Sequence, residues 1–253
     1  MNVNSPIIQS IGLACVPLHD MPAKTGGLGR KPVAAAVVTL QERDDGQCDI
    51  IGARMSDAMD MEFPLAWRIE QELMPNALTI VSAEDRAILG AEAAARRFFV
   101  EPRLARVCAG KNVVDPCSML GEGGVDEQAL GRRLSVPTSF VSDKDVQAHW
   151  SRHAPQAAEE VALARAVGRM ILWANLEAFR TSEPRPFFRT LLPLQTWMYD
   201  QAERAPSLYR MATARPLMRA ASFAAEWRAY EEKKAQGDPD ASWVSFEIGL
   251  FHS

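Results

Sequence analysis

Three apolar runs near the start of the chain predict β-strands. "SIGLACVPL" begins at Ser10, "KPVAAAVVTLQER" at Lys31 and "CDIIGARMS" at Cys48. The second run ends in the turn cluster "DDGQ", and the third follows it at once. A turn cluster between two apolar runs is typical of a hairpin, so the second and third runs are expected to pair.

Further along the chain, helical and strand patterns alternate. "EFPLAWRIEQELMP" carries apolar residues at helical spacing up to Pro75, and "NALTIVS" predicts a short buried strand. "AEDRAILGAEAAARRFFVE" predicts a helix that begins with acids, and "KNVVDPCSML" predicts one more strand. "DEQALGRRLSVP" predicts a short helix stopped by Pro137, and a longer helix runs from "APQAAEE" through "VALARAVGRMILWANLEAFRT".

This order of elements predicts an α/β fold with a mixed central sheet flanked by helices. We expect "SIGLACVPL" to be a central strand between "KPVAAAVVTL" and "ALTIVS". The segment "FFRTLLPLQTWM" is expected to pack on this core as part of a helical C-terminal extension. Near the end of the chain, "VSFEIGLF" is a short strand-like run.

Composition narrows the classes of function. The 253 residues are 47% apolar and 24% charged, with a net charge of -4, which is typical of a globular protein without a general attraction for polyanions. Any nucleic-acid site must then be a local patch. No run of about 18 apolar residues and no signal peptide pattern is found, so we expect a cytoplasmic protein without a membrane partner. The four cysteines lack zinc spacing and are expected to be reduced and mostly buried.

Five motifs between about residues 77 and 190 carry a resemblance to a known family. They are "TIVSAEDRAIL", "VVDPCSML", "ALGRRLSVPTS", "SDKDVQAHW" and "QAAEEVALARAV", in that order. Together they resemble the predicted 3'-5' exonucleases related to the proofreading domain of family B DNA polymerases. The resemblance implies a ribonuclease H-like exonuclease domain over residues 1–182, with residues 183–253 as the extension. It places Asp85 and Glu160 at two of the family's acidic positions.

The family's metal site requires more carboxylates than the chain has at the aligned positions. Two divalent metals, Mg²⁺ or Mn²⁺, activate a water and stabilise the leaving oxygen of a phosphodiester, and four carboxylates hold them. Two of these lie on the first strand, and alignment at Pro17 places Gly12 and Ala14 there. Neither residue can bind a cation. Asp85 and Glu160 therefore remain as a remnant of the site, and we expect them to approach each other near Gly12 and Ala14.

The family's general base is also replaced. Its tyrosine position falls on Gln156, and His153, seven residues before Glu160, is a weak candidate because it is out of register. Non-catalytic interpretations stay open for both acids. Asp85 would then be a helix-terminal acid and Glu160 a solvated residue in a first helical turn.

Arginines and aromatic residues alternate in the C-terminal region. Residues 180–228 hold eight arginines against four acids, an excess of four positive charges. Such a composition is typical of a single-strand binding surface, and equally of a protein interface. Arg185 and Arg189 are candidate nucleic-acid ligands there, and Arg30 and Lys31 in "TGGLGRKP" are two more.

Two hypotheses follow for the function. In the first, a protein with the exonuclease fold and a degenerate metal site binds a nucleic-acid end or a protein partner without efficient cleavage. In the second, the protein is an active metal-dependent 3'-5' exonuclease on DNA or RNA, with ligands such as Asp20, Glu62 or Asp115. The empty first strand favours the first hypothesis.

Overall fold

A computed structural model describes residues 7–17, 29–43, 47–57, 64–95, 102–121, 125–137 and 141–237. Its strands are β1 Ile7–Pro17, β2 Arg30–Glu42, β3 Cys48–Ser56, β4 Leu78–Ile80 and β5 Val113–Val114. The first helices are α1 Leu65–Glu72, α2 Ala83–Ala95, α3 Pro102–Cys108, α4 Glu127–Leu134 and α5 Asp143–Ser151. The later ones are α6 Pro155–Thr181, α7 Arg185–Gln201, α8 Pro206–Ala212 and α9 Arg215–Ala235, and a 3₁₀ helix spans Pro116–Leu120.

The strands form one mixed sheet in the order β3-β2-β1-β4-β5. β1 pairs antiparallel with β2, and β2 with β3, as the turn cluster between the second and third runs predicts. β4 runs parallel to β1, and β5 parallel to β4. The predicted α/β class and the central position of the first strand between the second and fourth strands are therefore confirmed.

One predicted strand is mostly a different element. "KNVVDPCSML" contributes the two residues of β5, and then the chain turns into the 3₁₀ helix. Pro116 has no backbone N–H for a strand ladder, and the side chain of Asp115 accepts a hydrogen bond from the backbone N–H of Cys117. Both effects favour a helical start over a continued strand. The strand-like run "VSFEIGLF" lies outside the described residues.

The two faces of β1 pack against different helices. Ile11, Leu13 and Cys15 belong to a buried cluster with residues of α1, α2 and α3. The alternate residue Ala14 belongs to a second cluster, with residues of α6. Because successive side chains of a strand point to opposite faces, the apolar run of β1 is explained by helices on both sides of the sheet.

Helix α6 is the centre of the second cluster. It is 27 residues long and buried along most of its length, including positions that are charged. Buried residues of α7, α8 and α9, among them Phe187, Leu208 and Leu217, belong to the same cluster. The segment after residue 183 thus packs on the core as the apolar pattern predicts, whereas the domain boundary itself stays a prediction. No helix in the described part of the chain is long and apolar enough to span a membrane.

Candidate functional site

The sheet opens between β1 and β4. Among the described residues, the pairing with β4 covers Ile8–Ser10, although β1 continues to Pro17. The second half of β1 therefore has a strand neighbour on the β2 side. On its other side is an opening in the sheet, called the crevice below, which buried side chains from α2 and α6 fill. In open α/β sheets, the crevice beyond the carboxyl ends of parallel strands is where ligands commonly bind.

Charged side chains form the hydrogen bonds with the backbone of β1 that a neighbouring strand would otherwise form. The N–H of Leu13 donates to Asp85 Oδ2 at 3.1 Å, and the carbonyl oxygen of Leu13 accepts from Arg165 Nη1 at 2.7 Å. The carbonyl oxygen of Ile11 accepts from Arg169 Nη1 at 2.8 Å. Buried backbone groups without partners are costly, so these side chains stabilise the open half of β1.

Asp85 and Arg169 form the buried centre of this network. Asp85 lies in the first turn of α2 and is 2% exposed, and Arg169 lies on α6 and is 4% exposed. Their atoms Oδ2 and Nη1 are 2.5 Å apart. Burial alone would lower the pKa of Arg169, but the carboxylates of Asp85 and Glu127 raise it above its ordinary value. The guanidinium is therefore a permanent cation against Asp85.

Further ion pairs extend the network toward the surface. Arg169 Nε is 2.9 Å from Glu127 Oε2, and Arg165 Nη2 is 3.3 Å from Asp143 Oδ1. Arg30 pairs with Asp143 at 2.5 Å and also with Glu84. These three acids and Asp85 lie in first turns of α2, α4 or α5, where the helix dipole favours negative charge. Four carboxylates thus face three guanidinium groups.

The residues do not fit a pair of divalent metals. A Cβ built on Gly12 would lie 2.6 Å from the backbone nitrogen of Ala166, and closer still to the carbonyl oxygen of Ala162. The hydroxyl of Ser10 donates to the carbonyl oxygen of Ala166 at 2.7 Å, which also ties β1 to α6. Helix backbone therefore fills the space that a metal-binding side chain at residue 12 would need. The described residues contain no group of three or more His, Cys, Asp or Glu residues able to hold a metal ion.

Glu160 does not join Asp85. Its Oε1 accepts a hydrogen bond from the N–H of Ser207 at 2.7 Å, in the first turn of α8. Glu160 and Arg169 are nine residues apart on α6, which corresponds to about 14 Å along the axis and roughly opposite faces. The approach of the two carboxylates near Gly12 and Ala14 stays a prediction. Each is bound to a different element, Asp85 to β1 and Glu160 to α8.

The other predicted ligands have structural roles or lie outside the described residues. His153 is exposed, adopts a left-handed backbone with φ of 54°, and donates its N–H to the carbonyl oxygen of Trp150 in the turn after α5. Asp115 accepts hydrogen bonds from the N–H groups of Cys117 and Ala83, each at 3.0 Å. Asp20 and Glu62 lie outside the described residues.

The chain was compared with protein-family models, curated proteins and solved structures. No match was found. The resemblance to the exonucleases therefore rests on the five motifs and on the order of the elements. The five-stranded mixed sheet with flanking helices is compatible with a ribonuclease H-like fold.

Each predicted nucleic-acid ligand is paired with a carboxylate. Lys31 Nζ is 2.8 Å from Asp57 Oδ2, which adds to the pairs of Arg30 described above. Arg189 Nη1 is 3.4 Å from Glu42 Oε1, and Arg185 pairs with Glu231. The structure divides the four residues between two elements: Arg30 and Lys31 lie at the start of β2, whereas Arg185 and Arg189 lie on α7.

A groove lies along the contact between α7 and α9, beside the start of β3. Its cavity has a volume of about 490 Å³, and its walls include Arg189 and Arg228 together with Phe188 and Trp227. The guanidinium carbon of Arg185 lies 5.5 Å from the centre of the Trp227 ring, in a cation–π contact. The arginines and aromatic residues that the sequence brings together by composition are thus neighbours in space.

Proposed function

We propose that this protein has a ribonuclease H-like exonuclease fold with a degenerate metal site, and that it binds single-stranded nucleic acid without efficient cleavage. The buried pair of Asp85 and Arg169 is the observation that supports the lack of efficient cleavage. A carboxylate that already neutralises a permanent cation is a poor ligand for Mg²⁺ or Mn²⁺. Because two-metal catalysis depends on both ions, loss of the first-strand ligands would remove the activated water and the charge stabilisation together.

The groove between α7 and α9 supports the binding half of the proposal. Single strands bind where arginines contact phosphates and bases stack on aromatic side chains, and the groove has both. The pairs of its arginines with Glu231 and Glu42 are weak obstacles, because the side chains of Arg185 and Arg189 are 43% and 55% exposed. Exposed pairs of this kind contribute about 0–1 kcal/mol, so a phosphate can displace them.

Cleavage is tested first, with a 3'-labelled single strand in Mg²⁺, in Mn²⁺ and in chelator. We expect little or no metal-dependent release of nucleotides by the unmodified protein, at a rate several orders of magnitude below that of a two-metal nuclease. Robust cleavage that is abolished by chelator and by Asp85→Ala would overturn the proposal. It would establish the active 3'-5' exonuclease instead.

Binding is tested by fluorescence anisotropy of a labelled oligothymidine. Arg189→Gln combined with Arg228→Gln removes two groove cations and should weaken binding at least tenfold and reduce its salt dependence. The matched control is Arg132→Gln combined with Arg133→Gln, which removes two exposed arginines of α4. Equal weakening by both double variants, or no binding by the unmodified protein, would reject this surface and favour a protein partner.

A further inference from the structure

A second cavity lies at the opposite end of the parallel strands. Its volume is about 490 Å³, and it lies between the turn that precedes β4, the turn that precedes β5, and α3. The crevice of the ion-pair network is beside the carboxyl end of β1, whereas this cavity is beside the amino ends of β4 and β5. The two sites are therefore separate.

The charges that line this cavity have one sign. Arg103, Arg106 and Lys111 line it together with two asparagines, one threonine and apolar residues, and among the described residues no carboxylate lines it. None of the three cations is in an ion pair among the residues that the structure describes. In a chain of net charge -4, three cations that line one cavity without acids form a local positive field.

Hydrogen bonds hold the walls of the cavity in place. Arg103 Nη1 donates to the carbonyl oxygen of Leu73 at 2.8 Å, so this side chain lies along the wall. Glu70 is 2% exposed, and its two carboxylate oxygens accept the N–H groups of Arg103 and Leu104. That carboxylate anchors the start of α3. It is not among the residues that line the cavity.

The two turns are also joined to each other. Asn112 Nδ2 donates to the carbonyl oxygens of Asn76 and Ala77, at 3.1 and 2.7 Å. Asn76 and Asn112 both adopt left-handed backbone conformations, with φ of 65° and 55°. The N–H of Thr79 donates to the carbonyl oxygen of Asn112 at 2.9 Å. A cavity with such fixed walls requires little reorganisation to accept a ligand.

We propose that this cavity binds a phosphomonoester, with Arg103, Arg106 and Lys111 as its ligands. Three cations suit a dianionic phosphate better than a singly charged carboxylate, and guanidinium groups match phosphate oxygens in pairs. The volume exceeds what a bare ion needs and falls in the range of small-molecule sites, so the phosphate is expected to carry a larger group. A mononucleotide and the phosphorylated end of a nucleic acid both present this chemistry.

The test measures binding of three probes to the full chain by isothermal titration: inorganic phosphate, AMP, and an oligonucleotide with a 5'-phosphate. The same oligonucleotide without its terminal phosphate is the fourth arm. Arg106→Gln combined with Lys111→Gln removes two exposed cations, and we expect at least tenfold weaker binding of inorganic phosphate and AMP. Arg132→Gln combined with Lys144→Gln makes the same charge change elsewhere and should leave binding within about twofold.

The arms distinguish the sources and separate this site from the groove. Binding of AMP that requires Arg106 and Lys111 supports the proposal even if no oligonucleotide binds. Binding of the phosphorylated oligonucleotide that is tighter than that of AMP, and that is weakened both by removal of its terminal phosphate and by the cavity variant, identifies a nucleic-acid end as the source. The proposal is overturned if no phosphorylated probe binds, if the cavity variant binds every phosphorylated probe as tightly as the unmodified protein does, or if the control variant weakens binding as much as the cavity variant.

Discussion

Charged residues are buried and paired at one end of the parallel strands, and exposed at the other. Beside the carboxyl end of β1, buried arginines from α6 meet acids from the first turns of neighbouring helices. Beside the amino ends of β4 and β5, three exposed cations line a cavity to which the described part of the chain contributes no acid. A buried charge must find its partner within the protein, because leaving it unpaired costs several kcal/mol. An exposed charge stays hydrated and available, so the second end is open to an external anion whereas the first is closed.

The largest loss of stability is expected when the ion pair of Asp85 and Arg169 at the closed end is broken. Arg169→Ala leaves Asp85 buried without its cation, and we expect a loss of about 3–5 kcal/mol in the free energy of unfolding, measured with urea. The control Arg180→Ala removes an arginine from an exposed pair with Glu177 and should cost far less.

A double variant distinguishes pairing from packing. In Asp85→Asn with Arg169→Met no charge remains unpaired between the two positions, so the loss should be smaller than in Arg169→Met alone. Equal losses in the single and double variants would mean that the two side chains stabilise the fold by packing rather than by their opposite charges.

The second effect concerns the contact between β1 and α6. Gly12→Ala forces a methyl group into the backbone of Ala162 and Ala166, and we expect a loss of about 1–3 kcal/mol in urea unfolding. Gly90→Ala is the control: a Cβ there meets nothing within 4 Å, and alanine favours the helix, so stability should rise by about 0.5–1 kcal/mol.

The same contact changes the expectation for restoring the metal ligands. Gly12→Asp with Ala14→Glu places two acids where α6 packs on the strand, so we expect a destabilised protein without nuclease activity. A stable double variant that cleaves a 3'-labelled strand with Mn²⁺ would contradict the observed packing of Gly12.

The sequence predicts the sheet better than the site, for physical reasons. Apolar runs and turn residues are local signals, and they predict β1, β2 and β3 and their order. The crevice depends on Arg165 and Arg169, which meet acids far away in the chain. Their spacing is a signal that could have been used: two arginines one helical turn apart in "VALARAVGRMILW" share a face of a helix that is otherwise apolar.

The motif alignment could not predict what replaces a missing ligand. It correctly notes that Gly12 and Ala14 offer no oxygen, but an alignment contains no distances. The approach of the α6 backbone to Gly12 is a tertiary contact that follows from helix packing. Likewise, the partner of Glu160 is the first turn of α8, which lies beyond the motifs.

A third prediction uses pH to probe the closed end. Burial, with a further contribution from Asp85, raises the pKa of the Cys15 thiol from 9.0 to about 12. The folded state therefore holds the proton after the unfolded state has lost it. This contribution is fully present below about pH 9 and is lost as the pH rises toward about 12, at about 1.4 kcal/mol per pH unit.

The measurement is urea unfolding at several pH values from neutral to alkaline, for the unmodified protein and for Cys15→Ala. The variant should be less stable at neutral pH because a buried side chain is shortened, but its stability should fall less steeply above about pH 9. Tyrosine and lysine titrations are common to both proteins and cancel in the comparison. Parallel curves above pH 9 would show that the thiol is already accessible to water.

The smallest effect is expected at the open end. Arg106→Gln with Lys111→Gln removes exposed cations without ion-pair partners among the described residues, so the free energy of unfolding should change by no more than about 0.5 kcal/mol per substitution. Added AMP should stabilise the unmodified protein, because a ligand that binds the folded state alone raises its stability with concentration. The variant should lose this increase while keeping its basal stability in urea. A large basal loss without AMP would mean that the cations hold the fold together, and the contrast between the two ends would then fail.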